Sequence, residues 1–376
     1  MVPWIKSKGG VERAILRLLN DDKCSVDVYT FDYEKDKTFE EFKNYKIHQI
    51  GWFKNGTFLT KGLKLFLNTI FYRIKGLYRY DIFMISTAGI AEFAVFRNPH
   101  RNTVALTHTP LRVAHNMYEY YKNRSLKYRV ILPPAVMIYR VLEKLAWKHI
   151  DYAIVFSEEV KNRLTKYGII DSSRIFKIGP HVDYSNIKRS GRSEKIIFYS
   201  GRFISYKRQD LAVRAFKRSS LKNKGFKLVI GGFVEDREYF DKVKRLAEGD
   251  DSIVIKQNLS ESELKGLYSK CYATLFLAIN EDTGLVPLES LAYGKPVISV
   301  NEGGPKEFIK NGVNGLLVAA TETGVTNALD KIAKESLYAR LRKGAIMSPQ
   351  YDEETMLSKF NAAVKSILSW ENRKLK

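Results

Sequence analysis

The sequence is poor in the residues from which disulfide frameworks and zinc sites are built. It has two cysteines, Cys24 and Cys271, and six histidines among 376 residues. The cysteines lie far apart, and no CxxC pair or histidine–cysteine cluster occurs. This spacing argues against a structural zinc site and favours two reduced thiols in or near the core.

Long apolar runs are absent as well. None reaches the roughly 18 residues that a membrane-spanning helix needs. The closest stretch, Val130–Trp147, is interrupted by Pro133, Pro134 and charged residues. The first residues, Met1–Lys8, have no secretory pattern. We therefore expect a cytoplasmic protein that is soluble or peripheral, and we expect it at the inner face of the membrane.

Acidic residues are in deficit. The chain has 63 basic and 41 acidic residues, which gives a net charge of +22. Such an excess favours polyanionic partners, namely acidic lipid headgroups, nucleic acid or phosphorylated substrates. Charge alone does not choose among the three.

Short apolar segments alternate with amphipathic helical segments along most of the chain. With 45% hydrophobic residues and a length of 376, the chain can form two domains of ordinary size. The alternation is typical of βαβ units with mostly parallel sheets. We predict strands at Ser25–Phe31, Asp81–Ser86, Thr103–Thr107, Tyr152–Phe156, Ile196–Tyr199, Lys227–Ile230, Ile253–Ile255, Ala273–Leu277 and Pro296–Val300, and helices at Val11–Leu19, Glu158–Lys166 and Gln209–Phe216.

A break in composition separates the two predicted domains. Residues 179–195 are rich in glycine, serine and proline and poor in apolar residues, so we interpret them as a linker. This gives an N-terminal Rossmann-like domain at 1–178 and a C-terminal one at 196–350. Residues 351–376 are predicted to form an amphipathic helix that packs back toward the N-terminal domain. The first strand must be very short or lie upstream, because only eight residues precede Gly9.

Three polar loops in the second half follow predicted strands. The loop Asn280–Gly284 leads into a helix that begins near Leu285, with Glu281 in the loop and Glu289 one to two turns into the helix. Free amides at a helix N-terminus suit a diphosphate, and two separated carboxylates suit the hydroxyls of an extended ligand. In isolation, a solvated helix with incidental acids would explain the same residues.

The other two loops are Ser200–Lys207 and Asn301–Glu307. In the first, Arg202 and Lys207 could meet a diphosphate from two directions, although a basic loop on a basic protein is the simpler interpretation. The second loop is again predicted to open a helix.

Taken in order, these motifs resemble a known family. The sequence reads G-R-x4-K, then E-x7-E, then A-Y-G-K-P-V-I-S-V-N-E-G-G-P-K-E, then N-G-V-N-G-L-L-V. This order resembles glycosyltransferase family 4, whose members have the GT-B fold of two Rossmann-like α/β domains facing across a cleft. The resemblance extends from Gly9 to Val318 and is greatest to the mannosyltransferase-like members that build lipid-linked or surface polysaccharide.

The resemblance implies a donor site in the C-terminal half. Arg202 and Lys207 would bind the donor diphosphate, Glu281 would contact the transferred sugar, and Glu289 would hold the nucleotide ribose. The loop from Lys256 to Leu259 would lie against the base. An aromatic residue often stands in the family where this chain has Thr283. The full set of donor-binding candidates is Gly201, Arg202, Lys207, Lys256, Leu259, Glu281, Thr283, Gly284, Leu285, Val286 and Glu289.

The acceptor side is assigned to the N-terminal half. Gly9 and Gly10 open a helix and allow close approach to phosphate. His108 follows a predicted strand, where a lone histidine is more often structural, but the resemblance places it beside the reacting sugar. Arg112 is a further candidate, and His115 is a weaker one.

The segment Lys61–Arg79 is predicted to be a helix with two stripes. The first, assigned to the core, contains Leu63, Leu67, Ile70, Ile74 and Leu77. The second would face outward and could rest on acidic headgroups. It contains Lys61, Lys64, Asn68, Tyr72, Lys75 and Arg79.

The expected activity is transfer of a hexose, of the mannose or glucose type, from a UDP- or GDP-linked donor with retention of configuration. The resemblance implies that His108, Arg202, Lys207 and Glu281 are catalytic and that no metal is required. The lack of an Asp-x-Asp placed after a strand for Mg²⁺ agrees with this expectation. A polyprenyl-linked glycan is the first choice of acceptor. A soluble or nucleic-acid acceptor, or a non-catalytic polyanion-binding protein, remain alternatives.

Overall fold

The computed structural model describes every residue except 22, 52–57, 185, 186, 192, 350, 375 and 376, and it omits the side chains of 58–63 and 370–374. The chain forms two compact units. The first unit is Met1–His181 with Glu353–Lys376, and the second unit is Val182–Asp352. Most of the predicted linker, residues 182–195, therefore belongs to the second unit, and its residues 185, 186 and 192 lie outside the described part.

The first unit is built on short parallel strands. A four-stranded parallel sheet has the order β5-β6-β7-β8, and two further parallel pairs are β1-β3 and β2-β4. The strand before Gly9 is two residues long. The strands are β1 Trp4–Ile5, β2 Val28–Thr30, β3 Asp32–Tyr33, β4 Ile47–Gln49, β5 Phe83–Thr87, β6 Thr103–Thr107, β7 Tyr152–Val155 and β8 Ile175–Lys177.

Helices cover this sheet. Ser157 caps the N-terminus of the helix after β7, because its hydroxyl accepts from the Val160 N–H. The helices of this part are α1 Gly10–Leu19, α2 Phe58–Phe71, α3 Tyr118–Lys122, α4 Leu126–Trp147 and α5 Glu158–Lys166. α4 runs through Pro133 and Pro134 without ending. Among the described residues, no helix is long and apolar enough to cross a membrane.

The second unit has a single parallel sheet of six strands in the order β11-β10-β9-β12-β13-β14. Its central strands are apolar runs buried on both faces, as parallel sheets covered by helices require. The strands are β9 Ile196–Ser200, β10 Lys227–Gly232, β11 Ile253–Gln257, β12 Ala273–Phe276, β13 Val297–Val300 and β14 Gly315–Val318. The helices are α6 Gln209–Arg218, α7 Arg237–Ala247, α8 Glu261–Lys270, α9 Leu285–Ala292, α10 Glu322–Ile332 and α11 Glu335–Ile346.

The direction of strand order reverses between β9 and β12. From β9 the chain proceeds outward through β10 to β11, and it then returns to the other side of β9 with β12. In open α/β sheets, ligands bind at such a switch point, beyond the carboxyl ends of the strands. The loops that follow β9 and β12 are the loops with the motifs of Arg202–Lys207 and Asn280–Gly284.

The last helix, α12 Glu353–Lys374, belongs to the first unit. Met356, Phe360, Ala363 and Ile367 are all buried in one cluster with residues of α1, β6 and β7. The Asn361 amide also donates to the Asp21 carboxylate at 2.6 Å.

Two predictions about helices were wrong. The predicted helix Lys61–Arg79 ends at Phe71 and is followed by irregular chain and a 3₁₀ turn at Leu77–Arg79. Asn68, assigned to the outward stripe, is buried, whereas Phe71 is exposed. The side chains of Lys61 and Leu63 lie outside the described residues. The loop at Asn301–Glu307 opens only a 3₁₀ turn, Gly304–Glu307.

The reason for the early end of α2 is a long-range contact. The Asn98 side chain accepts from the Ile74 N–H at 2.7 Å and donates to the Tyr72 carbonyl at 2.8 Å. These bonds satisfy backbone groups outside the helical ladder, so the chain can leave the helix without loss.

Candidate functional site

Lys207 and Glu281 meet at the switch point of the second unit. The Lys207 Nζ lies 2.6 Å from the Glu281 Oε2, and their side chains are 12% and 20% exposed. Lys207 ends the 3₁₀ turn after β9, and Glu281 lies in the loop after β12. The Lys207 ammonium also lies 5.3 Å from the centroid of the Phe276 ring. Two sequence candidates that are 74 positions apart thus form one partly buried ion pair.

Tyr199 connects the loops that follow β9 and β12 by hydrogen bonds, and it was not predicted from the sequence. This fully buried residue of β9 donates its hydroxyl proton to the Lys207 carbonyl and accepts from the Leu277 N–H at 3.3 Å. The Tyr206 carbonyl accepts from the Ile279 N–H at 2.9 Å. The only sequence signal was a polar aromatic residue near the end of an otherwise apolar strand.

Arg202 has different partners from Lys207. Its guanidinium pairs with Glu235 and donates to the Tyr206 hydroxyl at 3.1 Å. The arginine is 54% exposed. Gly201, next to it, donates its N–H to the Gly231 carbonyl at 3.0 Å. The structure therefore places Arg202 at the same loop as Lys207 but outside the ion pair with Glu281.

Arg208 is a third cation of this region, and it was not predicted from the sequence. Its guanidinium lies 3.1 Å from Glu302 Oε1 and 3.3 Å from the Leu277 carbonyl. The other carboxylate oxygen of Glu302 accepts from the Asn280 N–H at 3.3 Å. This pair ties the loops after β9, β12 and β13 together. Arg208 has a φ of 58°, a left-handed backbone that the sequence did not reveal.

The backbone of the Gly303–Gly304 turn packs directly against the loop that contains Glu281. The Gly304 N–H donates to the Glu281 carbonyl at 2.8 Å. A Cβ at Gly303 would lie 2.3 Å from the Glu281 carbonyl oxygen, and one at Gly304 would lie 2.4 Å from the Asp282 carbonyl oxygen. Only glycine allows this approach of two backbones.

α9 begins directly after this loop. Gly284 is its N-cap residue with φ 90°, and no side chain caps the helix among the described residues. Leu285 and Val286 are the first two helical residues, and Thr283 is partly exposed beside them. α9 therefore begins at Leu285, as the sequence predicted, and its free N-terminal amides give that end partial positive charge.

Glu289 lies in the second turn of α9. Its carboxylate accepts from the Tyr268 hydroxyl at 2.8 Å. Burial and the adjacent carboxylate raise the pKa of Tyr268 well above its ordinary value, so the phenol remains a donor. Tyr268, which fixes the orientation of Glu289, had no marker in the sequence.

The Lys256–Leu259 loop lies at the end of β11. The Leu259 side chain packs on Gly231, where a Cβ would lie 2.3 Å from its Cδ1. The Asn258 N–H donates to the Gly232 carbonyl at 3.0 Å. The Lys256 ammonium lies 4.0 Å from the Glu263 carboxylate.

In the first unit, the glycine pair lies at the start of α1. Gly9 is the N-cap residue and Gly10 is the first helical residue. The buried Glu12 carboxylate folds back beside Gly9 and accepts from the Ser7 hydroxyl at 2.6 Å. This contact fixes the turn that precedes the helix.

His108 follows β6 and is neutral near pH 7. Its Nε2 lies 3.0 Å from the Ser86 Oγ, and its ring stacks on Phe156 with centroids 5.4 Å apart. Burial lowers the pKa of His108 to about 4, because the imidazolium would lose hydration. The residue can accept or donate a hydrogen bond without charge.

The His115 side chain is buried against Glu143 of α4 and against Tyr167. Its Nε2 lies 2.7 Å from Glu143 on α4, both side chains are at most 4% exposed, and its ring stacks on Tyr167. Arg112 is half-buried, and its carbonyl accepts from the N–H groups of His115 and Met117. His115 and Glu143 thus form a buried pair that joins the segment after His108 to α4.

The described residues contain no group of three or more histidine, cysteine, aspartate or glutamate side chains placed to hold a metal ion.

Comparisons with known families match both halves of the chain. Residues 8–186 match the family described as Glycosyltransferase Family 4, and residues 183–346 match the family described as Glycosyl transferases group 1. The alpha-1,3/1,6-mannosyltransferase ALG2 of Saccharomyces cerevisiae is 25% identical over 97% of this chain and 84% of its own length.

Solved structures with similar folds include Anabaena Alr3699/HepE in complex with UDP-glucose, with a TM-score of 0.73 and 16% identity over 97% of this chain and 99% of that one. Sucrose-phosphate synthase of Thermosynechococcus elongatus has a TM-score of 0.74 and 16% identity over 98% and 99%. At this identity the likeness establishes the fold, which is the GT-B fold that the sequence resemblance implied.

Proposed function

Because the chain belongs to glycosyltransferase family 4, and is therefore a glycosyltransferase, we propose that it transfers a hexose from a nucleoside diphosphate sugar to a hydroxyl of a lipid-linked glycan, with retention of configuration. The observation that carries the proposal is the ion pair of Lys207 with Glu281 at the switch point. The resemblance assigns these two residues to the donor diphosphate and to the transferred sugar.

The pair suits both parts of a donor. In this structure the charges of Lys207 and Glu281 compensate each other in a partly buried place. When a diphosphate binds, the ammonium gains a second anionic partner and the carboxylate can accept from sugar hydroxyls. Negative charge grows on the leaving diphosphate in the transition state, so a fixed lysine there lowers the barrier.

The other donor contacts follow from the same end of the sheet. Arg202 provides a guanidinium on the loop of Lys207, and the amides of Leu285 and Val286 provide the N-terminus of α9. Glu289, held by Tyr268, would accept from the ribose hydroxyls. Leu259 and Lys256 would border the base.

Positive charge from the chain itself supports a reaction without a divalent metal. We propose that Lys207, Arg202 and the amides of α9 do what Mg²⁺ does in metal-dependent transferases. Retention would follow from a front-side route in which the leaving phosphate helps to take the proton of the acceptor hydroxyl. His108 would lie beside the reacting sugar as a neutral hydrogen-bonding group.

The acceptor class rests on resemblance and charge. The yeast relative is named an alpha-1,3/1,6-mannosyltransferase, which favours a mannose-type donor and a glycan acceptor. The net charge of +22 favours an anionic surface or a phosphorylated carrier lipid. We propose a GDP- or UDP-hexose as donor and a polyprenyl-linked glycan as acceptor, at the cytoplasmic face of a membrane.

The test is nucleotide release from a panel of UDP- and GDP-sugars, in EDTA, with a polyprenyl-linked and a soluble acceptor. We expect one donor to be used by the wild type and Lys207→Met to lower the rate by about 100-fold or more. The matched control is Lys265→Met, which removes a lysine from the exposed ion pair with Glu261 and should change the rate less than twofold.

Equal rates for wild type and Lys207→Met would contradict the donor assignment. An absolute need for Mg²⁺ would contradict the metal-free mechanism. A rate that is the same on the soluble acceptor, or higher, would contradict only the lipid-linked acceptor.

A further inference from the structure

The outer face of α4 exposes apolar side chains from its first turn to its last. Leu126 is 79% exposed, Val130 74%, Met137 64%, Val141 56% and Leu145 43%. Spacings of four and seven residues place these side chains on one stripe of the helix. Val136, Glu143 and Ala146 face the other way and are buried. The apolar residues of this stripe therefore take no part in the core of the first unit. A contiguous exposed apolar patch of this kind marks an interaction surface.

Lysines stand along and beside the stripe, and no acid of α4 is exposed next to it. Lys127, Lys144 and Lys148 are exposed on the same side of the helix. Between Tyr120 and Ile150 the only acidic residue is Glu143, and it is buried. From Leu126 to Leu145 the stripe extends about 28 Å at 1.5 Å per residue.

This composition fits a lipid surface better than a second copy of the chain. Two such helices packed on each other about a two-fold axis would bring their flanking lysines together, and like charges would repel. An anionic bilayer offers acyl chains to the stripe and phosphates to the lysines. The inner face of α4 contains the carboxylate of Glu143 among its apolar residues, so the helix would lie in the interface and not cross it.

The inner face of α4 holds the segment that follows His108. Glu143 binds the His115 ring at 2.7 Å, and Arg140 donates to the Ala114 carbonyl at 2.9 Å. The Tyr139 hydroxyl donates to the Gly89 carbonyl, in the segment after β5, at 2.7 Å. A surface that binds the outer face of α4 therefore fixes the acceptor-side segment at that surface.

We propose that α4 is a membrane-docking helix that lies in the headgroup region of an anionic bilayer, with Val130, Met137 and Val141 toward the acyl chains. This surface replaces the basic stripe predicted at Lys61–Arg79, where the structure shows a shorter helix with Asn68 inside. Docking by α4 requires no donor chemistry, so it can be tested separately from the proposed function.

The experiment is co-sedimentation of the full chain with vesicles of phosphatidylcholine, alone or mixed with phosphatidylglycerol. The wild type should pellet with the mixed vesicles. The variant Val130→Gln/Met137→Gln/Val141→Gln should bind them at least about tenfold more weakly, because the apolar stripe supplies most of the insertion. Circular dichroism and thermal unfolding should match the wild type, since all three side chains are exposed.

The matched control removes equally exposed apolar side chains elsewhere. Val26→Gln/Val313→Gln/Met347→Gln changes residues that are 45%, 50% and 72% exposed. Its vesicle binding should stay within about twofold of the wild type. Lys127→Gln/Lys144→Gln/Lys148→Gln should weaken binding to the anionic vesicles and reduce its dependence on salt.

Two results would overturn the proposal. One is equal pelleting of the wild type and the α4 triple variant. The other is a wild-type dimer in sedimentation velocity that the triple variant converts to a monomer, with no vesicle binding by either, because α4 would then be a contact between copies. Nucleotide release on a soluble acceptor should be unchanged in the variant. If neither the wild type nor the variant released nucleotide, the proposed function would be contradicted, but the docking proposal would not.

Discussion

At the scale of single residues, the candidate donor site depends on side chains that hold other side chains. Lys207 and Glu281 were visible in the sequence as members of a motif. Tyr199 and Tyr268, which fix the Lys207 backbone and the Glu289 carboxylate, were not. Their hydroxyls act across long sequence separations, and no local pattern distinguishes a tyrosine with such a partner from one that only packs.

Tyr199→Phe tests the positioning role. The variant removes one hydroxyl that bonds the Lys207 carbonyl and the Leu277 N–H, so we expect a loss of about 1–3 kcal/mol in the free energy of unfolding. We also expect kcat for nucleotide release to fall about tenfold with little change in KM, because Lys207 shifts relative to Glu281.

The control for that prediction is Tyr272→Phe, which removes a hydroxyl bond to the Ile332 carbonyl in the same unit. Urea unfolding should show a loss of stability in both variants, and only Tyr199→Phe should lower kcat. A fall in kcat of the same size in the two variants would mean that the effect is one of stability alone.

The buried Glu92 makes the stability of the first unit depend on pH. Burial, together with the neighbouring Glu143 carboxylate, raises the pKa of Glu92 to about 7 against the opposing effect of hydrogen bonds from Thr87 and Tyr139. In the unfolded chain this carboxyl loses its proton near pH 4.5. The folded state therefore keeps the proton longer, and the unfolding free energy falls as pH rises from about 4.5 to 7.

Glu92→Gln should remove that fall. Between pH 5 and pH 8 the wild type should lose up to about 3 kcal/mol that the variant does not lose, as measured by urea unfolding. Glu40→Gln, which changes an exposed carboxyl, should follow the wild type. Parallel pH profiles for wild type and Glu92→Gln would show that Glu92 does not titrate in this range.

At the scale of elements, the five strands predicted in the second unit and the helix Gln209–Phe216 lie within two residues of their observed bounds, whereas β14 was not predicted. Each central strand is an apolar run that leads into a polar or glycine-containing loop, and this pattern marks a strand without knowledge of its partners. The parallel order of β9 and β12 then brought Lys207 to Glu281 without further information. This part of the site could be predicted because it depends on topology and on the ends of strands.

Elements that depend on distant partners could not be predicted. The period of Lys61–Arg79 continued past Phe71, but the bonds from Asn98 end the helix there. In α4 both faces are apolar, so periodicity could not tell which face the core would use. Arg202 and Lys207 share one loop, but Arg202 pairs with Glu235 and so has a different partner from Lys207.

The Gly303–Gly304 turn gives the prediction at this scale. In Gly304→Ala the new Cβ would lie 2.4 Å from the Asp282 carbonyl and 2.8 Å from Thr283, so the loop with Glu281 must move. We expect the affinity for the nucleotide sugar, measured by calorimetry, to fall at least about tenfold. Gly266→Ala, in α8 and with no atom within 4 Å, should leave the affinity unchanged. Equal affinities in the two variants would show that the turn does not hold the site.

At the scale of the whole molecule, the chain divides its work between two units. The second unit contains the strand ends with Lys207, Glu281 and α9, which we assign to the donor. The first unit contains His108 and α4 and is completed by α12, whose apolar face was predicted from its period. The whole chain has a net charge of +22, which favours an anionic surface. The exposed apolar stripe of α4 is the place where we propose that such a surface binds.

The central claim is retaining transfer from a nucleotide sugar, and the anomeric configuration of the product tests it most directly. The measurement is proton NMR of the product formed from the α-linked donor that the enzyme uses, in EDTA, with wild type and with Lys207→Met. The account predicts an α-linked product from the wild type and at most about a hundredth of that rate from the variant. A β-linked product, or equal product from both proteins, would contradict it.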